Sequence, residues 1–153
     1  MKKVVVYRQL PPAQLERLRE HFDVTYFEEV SAHNYSAFIE SLRNAHGMLG
    51  AGLPVGRELL QSVPFMEVIA TISAGYDNFD LEYLRERGIA LANTPDVLSE
   101  ATADAIFALL LASARRIVEL AQFVSAGQWR SAVGESHYGI DVHSKTLGIL
   151  GMG

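Results

Sequence analysis

The sequence predicts an α/β fold, with a parallel β-sheet covered by helices over roughly the first hundred residues. Three observations predict it. Short apolar runs alternate with amphipathic stretches from Lys3 to Asn93. The first of these runs, "KVVVY", is continuous rather than alternating, as in a strand buried on both faces. The stretches between them place apolar residues at helical spacing, as crossover helices between parallel strands do.

Each element can be justified in order. "KVVVY" (Lys3 to Tyr7) is β-branched and uninterrupted, a buried strand. "PAQLERLREHF" puts Leu15, Leu18 and Phe22 on one helical face, with Pro12 suited to the first turn. "DVTYFE" is a second strand, and "NYSAFIESLRNA" a helix with Phe38, Ile39 and Leu42 facing one way. "GMLGA" is a short third strand, "PVGRELLQSV" a short helix and "MEVIATIS" a fourth strand. "DLEYLRERG" carries a start and a stop signal of a helix, Asp80 as N-cap and Gly88 just past the end. "IALAN" is the fifth strand.

Pro95 in "NTPD" ends that strand. Ser99 is then placed to cap a long helix running to about Gly127. From Ala105 to Ala112 this helix is apolar all round, and such a helix must be covered on every side. "GQWRSAVGESHYGIDVHSKT" has weak periodicity and reads as a long surface excursion. "TLGILGMG" (Thr146 to Gly153) begins a new strand and turn. The expected organisation is therefore 1–98, 99–144 as crossover helix and arm, and 145–153 as the start of a further domain.

Composition narrows the function classes. The chain has 153 residues, 49% hydrophobic, enough for one good core or one domain and part of another. A net charge of -5 with no basic run argues against nucleic acid or an anionic membrane as partner. There is no cysteine, which excludes disulfides and thiolate metal sites and fits a reducing, cytoplasmic setting. The longest apolar stretch falls far short of the ~20 residues of a membrane span.

Few residues invite chemistry. "ISAGYDNFD" (Ile72 to Asp80) lies at the carboxyl end of a predicted parallel strand, where open α/β sheets bind ligands. Gly75 lets the backbone turn sharply or approach a ligand, and successive N–H groups there can form an anion-binding nest. The competing reading, which local spacing favours, is a plain strand-to-helix turn with Asp77 or Asn78 capping its own backbone. "LGAGLPV" (Leu49 to Val55) follows the third strand onto the same rim, either leaving room for a ligand or serving as a flexible loop. Gly151-Met152-Gly153 follows an apolar run, the context of a dinucleotide fingerprint, but the third glycine, the helix and the acidic residue are absent. The five histidines, His21, His33, His46, His137 and His143, make no metal-ligand spacing, so no metal site is expected. No Ser/His/Asp set stands in a mechanistic context.

Taken together and in order, "SAGYDNFDLEYLRERGIALANTPDVLSEATADAIFALLLASARR", "GQW" and "YGIDVHSKTLGILGMG" resemble the D-isomer-specific 2-hydroxyacid dehydrogenases. The similarity runs from Val4 to Gly153, and the likeness is strongest to the family's bacterial glyoxylate/hydroxypyruvate (2-ketogluconate) reductases. It implies a flavodoxin-like substrate domain, a long crossover helix and the first strand of a Rossmann domain. It implies reduction of a small 2-keto acid such as glyoxylate, hydroxypyruvate or 2-ketogluconate, with hydride from NADH or NADPH. It places the substrate carboxylate on Ser73, Ala74, Gly75 and Tyr76, with the amides of Ala74 and Gly75 as donors. It places Thr102 beside the nicotinamide, and Gly151, Met152 and Gly153 in the pyrophosphate loop, inside which the chain would stop. The family's catalytic Arg, Glu and His lie downstream of that loop, so no catalytic residue is expected here and this chain alone is expected to be inactive. The helix from Ser99 and the excursion after it match the family's homodimer interface. The alternative is a stand-alone small-anion-binding or interaction domain without catalysis.

Overall fold

Five parallel strands form where β-branched and small apolar residues run together: β1 (Lys3–Val6), β2 (Asp23–Tyr26), β3 (Gly47–Gly50), β4 (Val68–Thr71) and β5 (Ala90–Ala92). Their order in the sheet is β2-β1-β3-β4-β5, the flavodoxin-like arrangement in which the chain reverses direction at β1. This computed structural model describes residues 1–151. The chain divides into two compact units, Met1–Val97 and Leu98–Gly153.

The sheet register explains which residues are buried. Val5, Met48 and Ile69 stand in one row across β1, β3 and β4. All three are at most 1% exposed and join Phe38, Leu42, Leu60, Tyr83 and Leu84 in one core. Those partners lie on α2 (Tyr35–Leu42), α3 (Arg57–Leu60) and α4 (Leu81–Arg87), which therefore cover that face. The opposite face carries Val4, Leu49 and Val68, and α1 (Pro12–Arg19) presents Leu18 beside Leu49. The strands are shorter than the apolar runs at their carboxyl ends. There single bonds such as Tyr7 N–H to Leu49 O (2.9 Å) and Ile72 N–H to Gly50 O (3.0 Å) finish the ladder.

The two end signals of α4 hold. Asp80 Oδ1 accepts from the Tyr83 N–H at 3.0 Å. Gly88 adopts φ 66°, its N–H reaching Arg85 O and the Ile89 N–H reaching Leu84 O, a paired closure that only a left-handed residue allows.

In the second unit the expected single helix is two. α5 (Ser99–Ala114) ends, Arg116 takes a left-handed backbone (φ 54°), and α6 (Ile117–Ser125) begins. Gly127 (φ 66°) closes α6 with the same paired bonds, Gly127 N–H to Val124 O and Gln128 N–H to Phe123 O. Ser99 does not cap α5: Leu98 occupies the N-cap and no side chain accepts there. The excursion after Gly127 is loop with one 3-10 turn, Glu135–His137. Thr146 to Gly151 form no strand, because an apolar run becomes one only when a neighbour pairs with it and among the described residues none does. Among the described residues no helix is long and apolar enough to cross a membrane.

Candidate functional site

The turn after β4 is built from Thr71 outward. Thr71 is buried (3% exposed), and its Oγ1 lies 3.1 Å from Ser73 Oγ. Ser73 Oγ donates its one proton to Gly75 O at 2.7 Å, so Thr71 is the donor in the first bond. The turn's carbonyls are all engaged. Ser73 O accepts from the Thr94 N–H (3.1 Å), Ala74 O from Asn93 Nδ2 (2.8 Å), Gly75 O from Ser73 Oγ, and Tyr76 O from the Phe79 N–H (3.0 Å). The N–H groups of Ala74, Gly75 and Tyr76 have no acceptor among the described residues, and all three residues are exposed. Exposed amides of this kind are open to water or to a ligand acceptor, and the Phe79-to-Tyr76 bond closes an ordinary turn around Asp77 and Asn78. Asn78 reaches away from its own backbone, its Nδ2 donating to Leu53 O, 25 residues away in sequence, and among the described residues no backbone N–H donates to its Oδ1.

Gly75 is not needed for a left-handed backbone. A Cβ there would meet only Asp77 Oδ2, at 3.8 Å. A side chain there would enter space that is otherwise open. No Lys or Arg lies in 49–55, 72–80 or 93–96, so within these segments an anion meets backbone dipoles and hydroxyls, with the Asp77 carboxylate near Gly75.

The loop after β3 is fastened to this turn. The Val55 N–H donates to Asn78 O (2.8 Å) and the Asp80 N–H to Val55 O (2.9 Å), a one-residue parallel bridge beyond the strands between Val55 and Phe79. Gly50 is required at the exit of β3, since a Cβ there would stand 2.6 Å from the Tyr7 ring. Gly52 follows in a left-handed backbone (φ 84°).

The structure brings Ser73, Ala74, Gly75 and Tyr76 together in one turn of the first unit. Sequence reasoning missed Asn93, Thr94 and Asn78, whose partners lie 19 to 25 residues away and leave no local pattern. Thr102 and Gly151 belong to the second unit. Thr102 is exposed on α5, its N–H bonded within the helix to Leu98 O (2.8 Å). Gly151 takes φ 83°, with no atom within 4 Å of where a Cβ would sit. Met152 and Gly153 lie outside the described residues. Among the described residues no group of His, Asp and Glu is placed to hold a metal ion. His46 and His137 have structural surroundings: His46 Nδ1 accepts from the Lys3 N–H (3.2 Å), and His137 packs on Phe123 with ring centroids 4.8 Å apart.

Comparison with known proteins adds to this geometry. A family model described as "D-isomer specific 2-hydroxyacid dehydrogenase, catalytic domain" matches residues 4–133. Glyoxylate/hydroxypyruvate reductase B of Yersinia enterocolitica is 46% identical over 150 residues, which are 98% of this chain and 46% of that protein. Among solved structures, an NADPH-dependent glyoxylate/hydroxypyruvate reductase from Sinorhizobium meliloti, in complex with NADP and malonate, aligns with TM-score 0.74 and 29% identity, covering 99% of this chain and 46% of its own. A glyoxylate reductase from Paecilomyes thermophila aligns with TM-score 0.83 and 26% identity, covering 99% and 49%. The chain spans about half the length of the relatives it matches. With the match extending from Val4 through the whole sheet and both helices of the second unit, the chain belongs to the D-isomer-specific 2-hydroxyacid dehydrogenase family.

Proposed function

We propose that this chain supplies the substrate-carboxylate cradle of an NAD(P)H-dependent reductase acting on a small 2-keto acid, glyoxylate or hydroxypyruvate foremost and 2-ketogluconate next. The observation that carries the reading is the row of exposed, acceptor-free amides at Ala74, Gly75 and Tyr76. A carboxylate of the substrate accepts from Ala74 and Gly75, and Ser73 stiffens the turn beneath them. Binding one end of a two- or three-carbon keto acid fixes where its carbonyl carbon stands.

A bound nicotinamide cofactor, NAD or NADP, supplies the hydride. Gly151 suits the pyrophosphate side of its site, because a side-chain-free, left-handed backbone with open space in front lets a phosphate come close. Thr102, Met152 and Gly153 are the other contacts the family resemblance assigns. That resemblance puts the residues that polarise the keto oxygen and deliver its proton beyond the 153 residues. We further propose a homodimer formed through α5, α6 and the Trp129 segment, in a cytoplasmic enzyme. α5 contributes no buried residue, and Ile106, Phe107 and Leu109 are each more than half exposed.

The test separates binding from turnover. Purified 1–153 should shift the amide resonances of Ala74 and Gly75 saturably on titration with malonate. It should show no oxidation of NADH or NADPH with glyoxylate or hydroxypyruvate. Turnover at the rate of a full-length relative, or malonate binding that leaves those two amides unmoved, sinks the reading.

A further inference from the structure

We propose that Asn93 is a positioning residue for the carboxylate cradle, acting through the Ala74 carbonyl without touching the substrate. The inference rests on the reading of the turn given above.

The argument starts from the peptide bond. A trans peptide is planar, and its C=O and N–H point in opposite directions. Holding the carbonyl of one residue therefore aims the N–H of the next. Ala74 O is held by Asn93 Nδ2 at 2.8 Å, so the Gly75 N–H points away from Asn93. Ser73 O is held by the Thr94 N–H at 3.1 Å, so the Ala74 N–H points away from Thr94. Asn93 and Thr94 are consecutive at the exit of β5 and pull two consecutive carbonyls toward themselves. Two consecutive N–H groups are thereby turned out on the other side, which is how a backbone nest presents itself to an anion. Ser73 Oγ does the same for the next peptide by holding Gly75 O.

The two anchors differ in what can replace them. The Thr94 anchor is backbone and survives any substitution except proline. The Asn93 anchor is a side chain on an exposed bond, and without it the Ala74–Gly75 peptide is free to rotate. Gly75 has no side chain to resist that rotation. The carboxamide is also suited chemically, because it donates without bringing a net charge to the rim. An aspartate of the same shape cannot donate when ionised and would add repulsion.

The experiment uses isotope-labelled 1–153 with malonate as probe, comparing wild type, Asn93→Ala and the isosteric Asn93→Asp. Without ligand, both variants should move the Ala74 carbonyl resonance, which loses its donor, while the Ser73 carbonyl, held by backbone, stays. With malonate, both should bind roughly tenfold or more weakly than wild type, about the effect of one lost hydrogen bond, with melting temperature nearly unchanged. Wild-type malonate affinity in both variants overturns the proposal, as does a loss of affinity accompanied by collapse of the fold in both. If wild type itself takes no malonate at Ala74 and Gly75, the reading of the turn falls and this inference with it. The ligand-free carbonyl shift would still report, separately, that Asn93 holds the peptide.

Discussion

Gly50 and Tyr7 show how little slack single residues have behind the site. A methyl group on Gly50 would stand 2.6 to 2.7 Å from three atoms of the Tyr7 ring, which is itself only 1% exposed. Tyr7 Oη is buried without a partner among the described residues, and burial pushes its pKa from 10.0 up to about 12. The sign of the pH dependence follows. The unfolded phenol ionises near pH 10 while the folded one keeps its proton to about 12, so stability is intact below 10 and falls as pH rises through that window. Tyr7→Phe loses no hydrogen bond and should match wild type at neutral pH. It should also lose less stability than wild type above pH 10, as read by chemical denaturation across the alkaline range. Gly75 is the contrasting case, because nothing crowds it and its backbone is not left-handed. Gly75→Val should therefore leave the melting temperature within a few degrees of wild type, with roughly 1 kcal/mol or less of stability lost, as for ordinary surface changes. It should abolish malonate shifts at Ala74. Unfolding of this variant would mean the glycine serves the fold.

At the scale of elements, what was legible in the sequence was what local chemistry determines. The strands announced themselves through β-branched runs, and α4 through Asp80 and Gly88, because a cap and a left-handed stop act within four residues. The candidate turn was legible as a position but not as a conformation, since its carbonyl anchors come from Asn93 and Thr94 across a crossover. The break between α5 and α6 was illegible for the same reason. Neither glycine nor proline marks it, and Arg116 holds a backbone angle that arginine seldom adopts. Two of the contacts that sustain it are distant and one is local. The Ile140 N–H donates to Ala114 O (2.8 Å), Arg116 Nη1 reaches Ser136 O, and its guanidinium pairs with Glu119. Gly139 makes this possible, because a Cβ there would stand 2.3 Å from Ala114 O and 2.7 Å from Arg115 Cα. Gly139→Ala should detach the loop from the helix break. Hydrogen exchange at the Ile140 amide should speed up by an order of magnitude or more, as a lost bond of about 1.4 kcal/mol implies, while amides of the five-stranded sheet keep their protection.

At the scale of the whole molecule, the second unit leaves apolar surface bare. Phe107, Leu110, Ile140, Val142 and Leu147 line one apolar groove of about 450 Å³ within it. Ile106, Leu109, Val118 and Trp129 stand more than half exposed. Burying a large apolar side chain contributes ~1.5–3 kcal/mol, so several left wet are a large fraction of a net stability of ~5–15 kcal/mol. A second copy is the cover we expect, joined about a two-fold axis through an interface larger than a crystal contact. Sedimentation at micromolar concentration should report a dimer, and Leu109→Asp should shift it to monomer. A soluble wild-type monomer at that concentration would refute the expectation.

The absence of any lysine or arginine from 49–55, 72–80 and 93–96 has a kinetic meaning. Partial charges on amides fade over a few ångströms, whereas a guanidinium projects a field out to the ~10 Å screening length of a dilute salt solution. A cradle of this kind recognises a carboxylate only once it has arrived. It does not draw one in from solution, and the Asp77 carboxylate beside it pushes weakly the other way. Capture at this rim should thus be nearly indifferent to ionic strength, with selectivity expressed in how long an acid stays rather than in how often it comes.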